Sequence, residues 1–551
     1  MQTRLLVRGA VCAVLVLALA VWSTAQLSGN YTIDPNGSGP SNYTTFAAAS
    51  AALAAGVSGP VVFQVASTTF QEAVTFNPVT GTSAANTITF VATGNPAVID
   101  ANGAQDGLVL NSTCSHFLFD NFVIKGFTRY GLSLAGASAT RATFCTFRNL
   151  MVDAPATTST SVYAVYCYYN NDCIFEDCVF AGGGRVFYTQ QINRNFMRRC
   201  EFDGKGQASQ LASLWNSNDS DNLYENCFYH DCGPSGYAMY IDYSQYGNMI
   251  WHNTFLVNTS QAAVRLGSLS SWSRANSFRN NIIVNTGTGG CIWYGASATA
   301  LDCNDPDYNC YWAPNGNVIE LQNGTTFTKG TLAQWLAFFT SPAGQAMIPA
   351  GGGTTWDNNS IEANPGLVSM TAPYDIHLTG GSPCINAGTK VYVAGPWISY
   401  NASYVVATDG EGDPRDATPD IGADEVVVSI VGSGSGLPGT SIAFALLAAA
   451  DAGLPYQMGS SFGNGPIPID TRTIGLSLDS VLVLSIGGTL PGIFQNYAGL
   501  LDAQGKATAS FNIPNIPTLK GIRIYTAFVT LSPAAPSGVS NISNSFLFTI
   551  Q

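Results

Sequence analysis

The chain has 551 residues, of which 10% are charged, and it contains 57 glycines and a formal net charge of −13. Few charges and many glycines suit a turn-rich all-β solenoid with a neutral polar surface. The acidic balance excludes the basic stripe that nucleic acid requires, and it disfavours a polyanionic substrate unless calcium bridges it.

Residues 1–25 have the pattern of a secretory signal peptide. Arg4 and Arg8 form the charged start, residues 10–21 are apolar, and the small residues at 23–25 form a cleavage site. The apolar run is too short to span a bilayer comfortably, and no later segment is longer and apolar. The sequence therefore predicts a protein that is secreted or displayed at the cell surface, without a transmembrane segment, and monomeric.

The first predicted element of the mature chain is a helix. Phe46, Ala49 and Leu53 fall on one helical face, and Gly56 supplies the stop.

A repeat of short strands dominates residues 119–312. Eight segments share a large apolar residue, a polar residue, an Asn-like residue and then alternating apolar residues, and they start at 119, 147, 175, 197, 224, 251, 278 and 307. The Asn-like positions are Asn121, Asn149, Asp177, Arg199, Asn226, Asn253, Asn280 and Asn309. A period of this length is the signature of a solenoid. Strand alternation predicts that the first position of each segment is buried and that the second faces outward.

A third strand in each repeat follows the two strands that flank the Asn-like corner. It is predicted at 130–134, 162–169, 185–189, 237–242, 262–266 and 291–295. The repeat therefore predicts turns of three strands each.

Twelve of the 13 cysteines remain after signal removal. An even number in an exported chain favours disulfides. The repeat instead aligns Cys178, Cys200 and Cys227 in one inward column, and it aligns Cys145 and Cys173 in another, where buried thiols are expected. Cys227/Cys232 and Cys303/Cys310 are predicted as local disulfides.

The composition changes after Glu425. A Gly/Ser-rich stretch predicts a linker at 427–437, and strands separated by Gly, Pro and Asp predict a small antiparallel β-sandwich at 438–551. A carbohydrate-binding module, a surface-attachment domain and a stabilising cap all remain open for this region.

The strings SIEANPGL, YDIHLTGGSPCINAG and DGEGDPRDATPDIGADE close the repeat region. With the opening helix and the repeats, they resemble secreted bacterial right-handed parallel β-helix proteins of the pectin-lyase-like type. The predicted fold is thus all-β: a three-sided parallel β-helix at 26–426 with an N-terminal capping helix, followed by the sandwich. The resemblance implies a groove along one side, where enzymes of this type cut polysaccharides. The active-site strings of pectate lyases and polygalacturonases are absent from this sequence.

One polar constellation in the repeats suits catalysis: Asp203, His230, Asp231, Asp242 and Arg265. Asp203 and His230 stand four residues after their corners on adjacent turns, so they are expected to meet outside the wall. They would act as an acid–base pair, with Arg265 steering a sugar carboxylate or hydroxyl. The alternative is a set of outward polar residues that keep one face solvated.

Acidic turns give two candidate calcium sites, Asp302 with Asp305 and Asp307, and Asp219 with Asp221. Neither matches a defined metal loop, and Asp-rich turns form without an ion. The acidic segment 409–424 is expected to form closing turns rather than a site.

Aromatic residues crowd the third strands, Tyr166, Tyr168 and Tyr169 among them. Outward Tyr and Trp rings stack against sugar rings. The predicted contacts are Trp215, Tyr237, Tyr240, Tyr243, Trp293 and Tyr294. The alternative is that these rings point inward and fill the core.

Two functional hypotheses follow. In the first, the protein binds extracellular polysaccharide or cell-surface glycan along one face, and it cleaves it as a lyase or glycoside hydrolase if the polar set is catalytic. In the second, it is a non-catalytic adhesive or structural rod. Ca²⁺ is the only cofactor that the sequence suggests.

Overall fold

The computed structural model describes residues 26–214, 219–241, 247–266, 276–297, 300–301, 305–323, 326–345, 357–378, 382–390, 404–413, 415, 418–426, 428–448, 451–469, 472–533, 535 and 537–551. The predicted signal peptide lies outside these residues and stays a prediction. The chain divides into two compact units, residues 1–154 with 164–174, and residues 155–163 with 175–551.

Parallel strands build the first unit. One series of strands comprises Leu27–Ile33, Asn42–Tyr43, Val57–Val65, Thr69–Phe70, Ile88–Ala92, Ala97–Asp100, Phe117–Lys125 and Thr146–Asp153. A second sheet comprises Val74–Phe76, Asp106–Asn111, Tyr130–Ala135 and Tyr163–Tyr168, and a two-stranded sheet pairs Ala142–Thr143 with Asn170–Asn171. The rings of Phe63, Phe90, Phe119 and Phe147 stack in sequence, with centroids 4.8, 4.9 and 5.9 Å apart.

The predicted opening helix is present at Phe46–Leu53, and it buries Phe46, Ala49 and Leu53 as the spacing predicted. Thr45 caps it by accepting a hydrogen bond from the Ala48 amide. The left-handed Gly56, at φ +88°, ends the segment. Because the Phe46 ring lies 5.0 Å from Phe70, the helix packs its apolar face against the core of the first unit.

Turns of three parallel strands build the second unit. The first line of strands comprises Ile174–Glu176, Phe196–Arg198, Leu223–Glu225, Met249–Trp251, Ser277–Arg279 and Asp305–Asp307. The second comprises Val179–Ala181, Glu201–Asp203, Phe228–His230, Thr254–Val257, Ile282–Asn285, Cys310–Trp312 and Ile361–Glu362. The third comprises Arg185–Gln190, Gln210–Leu214, Tyr237–Ile241, Val264–Leu266, Ile292–Ser297 and Ile319–Asn323. Two further strands pair antiparallel with members of this line: Ala300–Leu301 with Ile292–Ser297, and Thr326–Gly330 with Ile319–Asn323. The predicted parallel β-solenoid is therefore confirmed.

The predicted inward column is buried. Phe147, Tyr224 and Phe278 are fully enclosed, as the alternation predicted. The next inward column, on the second line of strands, stacks Phe202, Tyr229 and Phe255 with centroids 4.4 and 4.5 Å apart. Burial of these rings is the main source of the stability of the turns.

The predicted register is wrong by one residue at two turns. Ile250, not Trp251, aligns with Tyr224, so Trp251 points to the outer side beside Glu225. The left-handed corner accordingly falls at His252, with φ 54°, instead of Asn253, and at Tyr308 instead of Asn309. Asn121, Asn149, Asp177, Arg199, Asn226 and Asn280 do occupy left-handed corners.

Displaced from the corner, Asn253 and Asn309 instead belong to a buried asparagine ladder. The side-chain amide of Asn253 donates to Oδ1 of Asn281 at 3.0 Å, and that of Asn281 donates to Oδ1 of Asn309 at 3.1 Å. Each Oδ1 also accepts the backbone amide of the residue one turn earlier, at 3.0 Å. The ladder satisfies backbone groups that would otherwise be buried without partners.

The cysteine columns hold buried thiols. The 11 cysteines in the described part of the chain are all buried, and none is joined in a disulfide. The predicted Cys227/Cys232 disulfide is therefore wrong, because Cys227 instead stacks with Cys200 inside the wall. Cys310 is also outside any disulfide, and Cys303 lies outside the described residues.

The described residues between 363 and 426, here called the closing segment, pack on the outer side of the second unit. They contain the strands Leu367–Ser369 and Asp375–Leu378. Leu378, Cys384 and Ile421 form one buried cluster with Ile282 and Cys310 of the wall. Glu225 faces outward as the alternation predicted, but it is buried, and the Tyr404 hydroxyl of the closing segment donates to its carboxylate at 2.8 Å.

A second amphipathic helix, absent from the sequence prediction, lies at Leu332–Thr340 and is followed by the short helix Pro342–Gln345. Thr331 and Gln334 form a capping box at its start. Trp335 stacks on the buried Tyr294 with centroids 4.9 Å apart. The string TLAQWLAFF carries both the capping box and the apolar spacing, so the signal was present in the sequence.

The C-terminal region forms two antiparallel sheets. The first comprises Val428–Ser433, Ser441–Ala448, Phe494–Gln495 and Lys506–Asn512, and the second comprises Pro455–Ser461, Ala498–Leu500, Arg523–Leu531, Val539–Ile542 and Phe546–Thr549. Ile467–Ile469 pairs with Arg472–Ile474, a helix spans Ser480–Ile486, and a 3-10 turn spans Pro517–Leu519. Apolar residues of both sheets form one shared core, as in a sandwich. Residues 428–433 of the predicted linker already belong to the first sheet, while the domain boundaries stay a prediction.

Candidate functional site

The predicted meeting of Asp203 and His230 is present in the second unit. Strands Glu201–Asp203 and Phe228–His230 pair in parallel, and Asp203 lies opposite His230. Phe202 and Tyr229, the residues directly before them, are buried in the core, so strand alternation turns the side chains of Asp203 and His230 outward.

Three carboxylates surround the imidazole of His230. Its Nε2 lies 2.8 Å from Oε1 of Glu201, and its Nδ1 lies 3.4 Å from Oδ2 of Asp231 and 3.9 Å from Oδ1 of Asp203. The ring is stacked on Phe228, and Tyr374 of the closing segment covers it at 4.8 Å. The His230 side chain is only 6% exposed, whereas those of Glu201 and Asp231 are 43% and 38% exposed. We call Glu201, Asp203, His230 and Asp231 the His230 centre.

The charges of this centre hold the imidazole protonated. Burial alone would lower the pKa of His230, but hydrogen bonds with Asp231 and Glu201 and the charge of Asp203 raise it to about 9. The hydrogen bond with His230 lowers the pKa of Asp231, and the Tyr374 hydroxyl, which donates to Asp231 at 2.5 Å, acts in the same direction. At neutral pH the centre therefore contains an imidazolium that can serve as an acid but not as a base.

The stability of the protein is expected to fall as the pH rises from 6.5 to about 9. The pKa of His230 is higher in the folded chain than the ordinary 6.5, so its contribution is complete below 6.5 and is lost as the pH passes about 9. The difference in unfolding free energy between the wild type and His230→Gln should shrink across that range in urea denaturation. A difference that is constant from pH 6 to 10 would show that the imidazolium does not stabilise the fold.

Arg265, another predicted catalytic residue, does not join this centre. Arg265 lies on the third line of strands, opposite Tyr240 and Trp293 in the register. Asp242 lies outside the described residues.

Arg265 covers two of the predicted sugar contacts. Its guanidinium carbon lies 4.7 Å from the ring centroid of Tyr240 and 4.3 Å from that of Trp293. One face of each ring is therefore taken by a cation–π contact, and both rings are buried. Tyr237 is half-buried and donates to Oε1 of Gln261.

Tyr294 was expected to face outward, and that prediction is wrong. Its ring points into the core, where it is fully buried against Trp335. Trp215 and Tyr243 lie outside the described residues.

Two of the predicted calcium ligands, Asp307 and Asp219, have structural partners. Asp307 is buried and accepts the Asn359 amide at 2.8 Å and the Asn359 side chain at 2.9 Å. Asp219 likewise accepts the Ile192 amide and the Thr189 hydroxyl. Asp302 and the side chain of Asp305 lie outside the described residues, and calcium at either place stays a prediction.

A continuous run of tyrosines faces outward in the first unit. The pattern of strand Tyr163–Tyr168 turns Val165 and Cys167 inward, and it turns Tyr166 and Tyr168 outward. Tyr130 stacks on Tyr166 with centroids 4.4 Å apart and planes 5° from parallel. Further along, the centroids of Tyr166 and Tyr168 are 6.1 Å apart, and those of Tyr168 and Tyr169 are 4.4 Å apart. We call Tyr130, Tyr166, Tyr168 and Tyr169 the tyrosine strip.

An arginine stands at each end of the tyrosine strip. Arg129 lies 4.5 Å over the ring of Tyr130 and is held by Asp106, and Arg141 lies 5.3 Å over the ring of Tyr169 and donates to Asn171. All four rings are half-buried, so each keeps an accessible part. The sequence prediction noted three of these tyrosines, but it did not select them as contact residues.

The comparisons with known proteins bear on the fold. Residues 106–305 match the family model for a right handed beta helix region. Together with the parallel pairing of the strands, this match identifies the fold of the repeat region as a right-handed parallel β-helix. No curated protein matches the sequence significantly.

Three solved structures are similar to this chain. A pectate lyase, Pel9A, is 15% identical with a TM-score of 0.39, and the match covers 73% of this chain and 98% of the lyase. An alginate lyase from Paenibacillus sp. str. FPU-7 is 14% identical with a TM-score of 0.34, covering 55% of this chain and 96% of the lyase. The tailspike gp49 of Acinetobacter baumannii bacteriophage Fri1, a capsular polysaccharide depolymerase, is 9% identical with a TM-score of 0.29, covering 88% of this chain and 81% of the tailspike.

The helices of the described chain are each too short or too polar to cross a membrane.

Proposed function

We propose that the protein binds extracellular polysaccharide and that the tyrosine strip is its contact surface. The observation that carries this proposal is the run of four outward, half-buried rings in mutual contact. Sugar rings present C–H faces that pack on aromatic rings, and the tyrosine hydroxyls can hydrogen-bond with sugar hydroxyls. The predicted signal peptide, which directs the chain out of the cell, makes extracellular glycan the accessible partner.

The two arginines favour a polysaccharide that carries carboxylates or sulfates. Arg129 is paired with Asp106 through two hydrogen bonds, one from Nε at 2.9 Å and one from Nη2, and its side chain is 44% exposed, so the opposite edge of the guanidinium remains for a ligand. A guanidinium binds planar acid groups through paired hydrogen bonds. Acidic glycans are therefore expected to bind more tightly than neutral ones despite the net negative charge of the chain.

Tyr166→Ala is expected to weaken polysaccharide binding about tenfold, because it removes the ring that joins Tyr130 to Tyr168. Affinity is measured by isothermal titration after a panel of neutral and acidic glycans has identified a binder. Tyr525→Ala is the matched control, because Tyr525 is also half-buried and lies under an arginine, Arg523, at 5.6 Å. Equal losses in the two variants, or no loss in Tyr166→Ala, would contradict the proposal.

Cleavage at the His230 centre is a second candidate function. It is favoured by one observation, a protonated imidazole that lies between the partly exposed carboxylates of Glu201 and Asp231. An acid and a carboxylate are the groups that hydrolysis of a glycosidic bond requires.

Product release from the bound polysaccharide tests this second function. Turnover by the wild type that is abolished in Glu201→Gln, with binding retained, would support a polysaccharide-cleaving enzyme. Binding without turnover in the wild type would support the non-catalytic rod instead.

A further inference from the structure

We propose that the closing segment contains a site for a divalent transition-metal ion, formed by His377, Glu411 and Asp424 and oriented by Asp375. Each of the three ligands offers one donor atom, and these atoms all lie within 4.8 Å of one another. The sequence analysis expected residues 409–424 to form closing turns rather than a site. The residues proposed here belong neither to the tyrosine strip nor to the His230 centre.

The ligands come from three separate parts of the closing segment. His377 stands on strand Asp375–Leu378, Glu411 stands in the turn that follows Asp409, and Asp424 follows the chain reversal at Gly422. Two of these residues are exposed and Asp424 is buried, so the site is open to solvent on one side. An ion bound here would join the strand to both turns.

The imidazole of His377 is already oriented as it is in metal proteins. Oδ1 of Asp375 lies 2.6 Å from Nδ1, which leaves Nε2 directed toward Glu411, with Nε2 and Oε1 3.9 Å apart. Histidines that bind metals through one ring nitrogen commonly have the other held by a carboxylate, which fixes the ring and raises its basicity. This orientation is independent of how close the acidic groups lie to one another.

Asp424 is fixed in a similar way, because its Oδ2 accepts the amide of Leu378 at 2.7 Å. In the described part of the chain, His377 is the one basic side chain within 4 Å of the carboxylates of Asp375 and Glu411. The carboxylates of Asp375 and Glu411 and the buried carboxylate of Asp424 therefore surround one imidazole, with the charge of Arg415 acting on Asp424 alone of the three, and a divalent ion would reduce the excess of negative charge.

The donor set selects the class of metal. One imidazole nitrogen with two carboxylate oxygens suits Zn²⁺ and neighbouring transition metals, whereas Ca²⁺ prefers six to eight oxygen ligands. Zn²⁺ is therefore the probe, and Ca²⁺ is the comparison ion.

The test uses the full-length protein stripped of metal with a chelator. Isothermal titration with Zn²⁺ is expected to show one site, with affinity at least 100-fold lower in His377→Ala and about tenfold lower in Asp375→Asn. His116→Asn, which changes a histidine of the first unit, is the matched control and should bind as the wild type does. Because the His377 side chain is half exposed, its removal should leave the fold intact, and circular dichroism checks this.

Thermal unfolding provides a second readout. Zn²⁺ should raise the unfolding temperature of the wild type but not that of His377→Ala, and Ca²⁺ at the same concentration should raise neither. Unchanged Zn²⁺ affinity in His377→Ala would overturn the proposal. So would loss of Zn²⁺ binding in His230→Gln alone, since the His230 centre also presents a histidine and carboxylates.

Discussion

Replacing Arg415 with methionine is expected to lower the free energy of unfolding by about 3–5 kcal/mol, because it leaves a buried carboxylate without its cation. The guanidinium of Arg415 is fully buried and lies 3.0 Å from Oε2 of Glu425, which is also buried. It further donates to Oδ1 of Asn226 at 2.9 Å and to the carbonyl of Gly422 at 2.8 Å. One side chain therefore joins the closing segment to a corner of the solenoid wall.

Urea denaturation followed by circular dichroism measures this loss. Lys125→Met is the matched control, because Lys125 forms an exposed ion pair with Asp100 at 3.9 Å, and its loss should cost below about 1 kcal/mol. The double variant Arg415→Met with Glu425→Gln should recover part of the stability, since the orphaned charge is removed. A loss in Arg415→Met no larger than in the control would show that the closing segment is not held by this pair.

Asn281→Ala is expected to destabilise the fold by about 3 kcal/mol or more, because it breaks the asparagine ladder in the middle. Oδ1 of Asn281 accepts both the backbone and the side-chain amide of Asn253, and its Nδ2 donates to Asn309 and to the carbonyl of Ile250. Alanine cannot replace any of these contacts, and the site is too enclosed for solvent to do so.

Asn315→Ala is the control for the ladder. Asn315 also donates from Nδ2 to a carbonyl one turn away, that of Thr286 at 2.8 Å, but it does so at the exposed surface. Water can replace that bond, so the expected loss is below about 1 kcal/mol. The unfolding temperatures of Asn281→Ala and Asn315→Ala are compared in thermal unfolding. Similar unfolding temperatures would contradict the structural role of the ladder.

The repeat was predictable because strand alternation is periodic. The buried column at Phe147, Tyr224 and Phe278 and the three strands of each turn follow from it. The predicted register was wrong at Asn253, where the sequence offered no means of choosing between two registers. Asparagine occupies both the left-handed corner and the adjacent inward ladder, as the neighbours Asn280 and Asn281 show, so WHNTFL fits two registers. The structure places His252 at the corner, a residue that the corner preference alone does not select.

The candidate sites were predictable only where their members share the repeat. Asp203 and His230 have equal spacing from their corners, and they meet. Tyr374 covers His230 and donates to Asp231, which lies 143 positions earlier in the sequence. No period of the repeat relates these residues. The covering of Tyr240 and Trp293 was unpredictable for a related reason, since the position of Arg265 decides which faces of these two rings are covered.

Hydrogen–deuterium exchange of the full-length protein, with and without saturating polysaccharide, tests the proposed binding surface most directly. The proposal predicts slower exchange in the peptides that cover residues 129–135 and 163–171, where the tyrosine strip and Arg129 lie. Protection confined to other peptides, such as those around His230 or in the C-terminal sheets, would contradict it, as would binding that protects none of the strip.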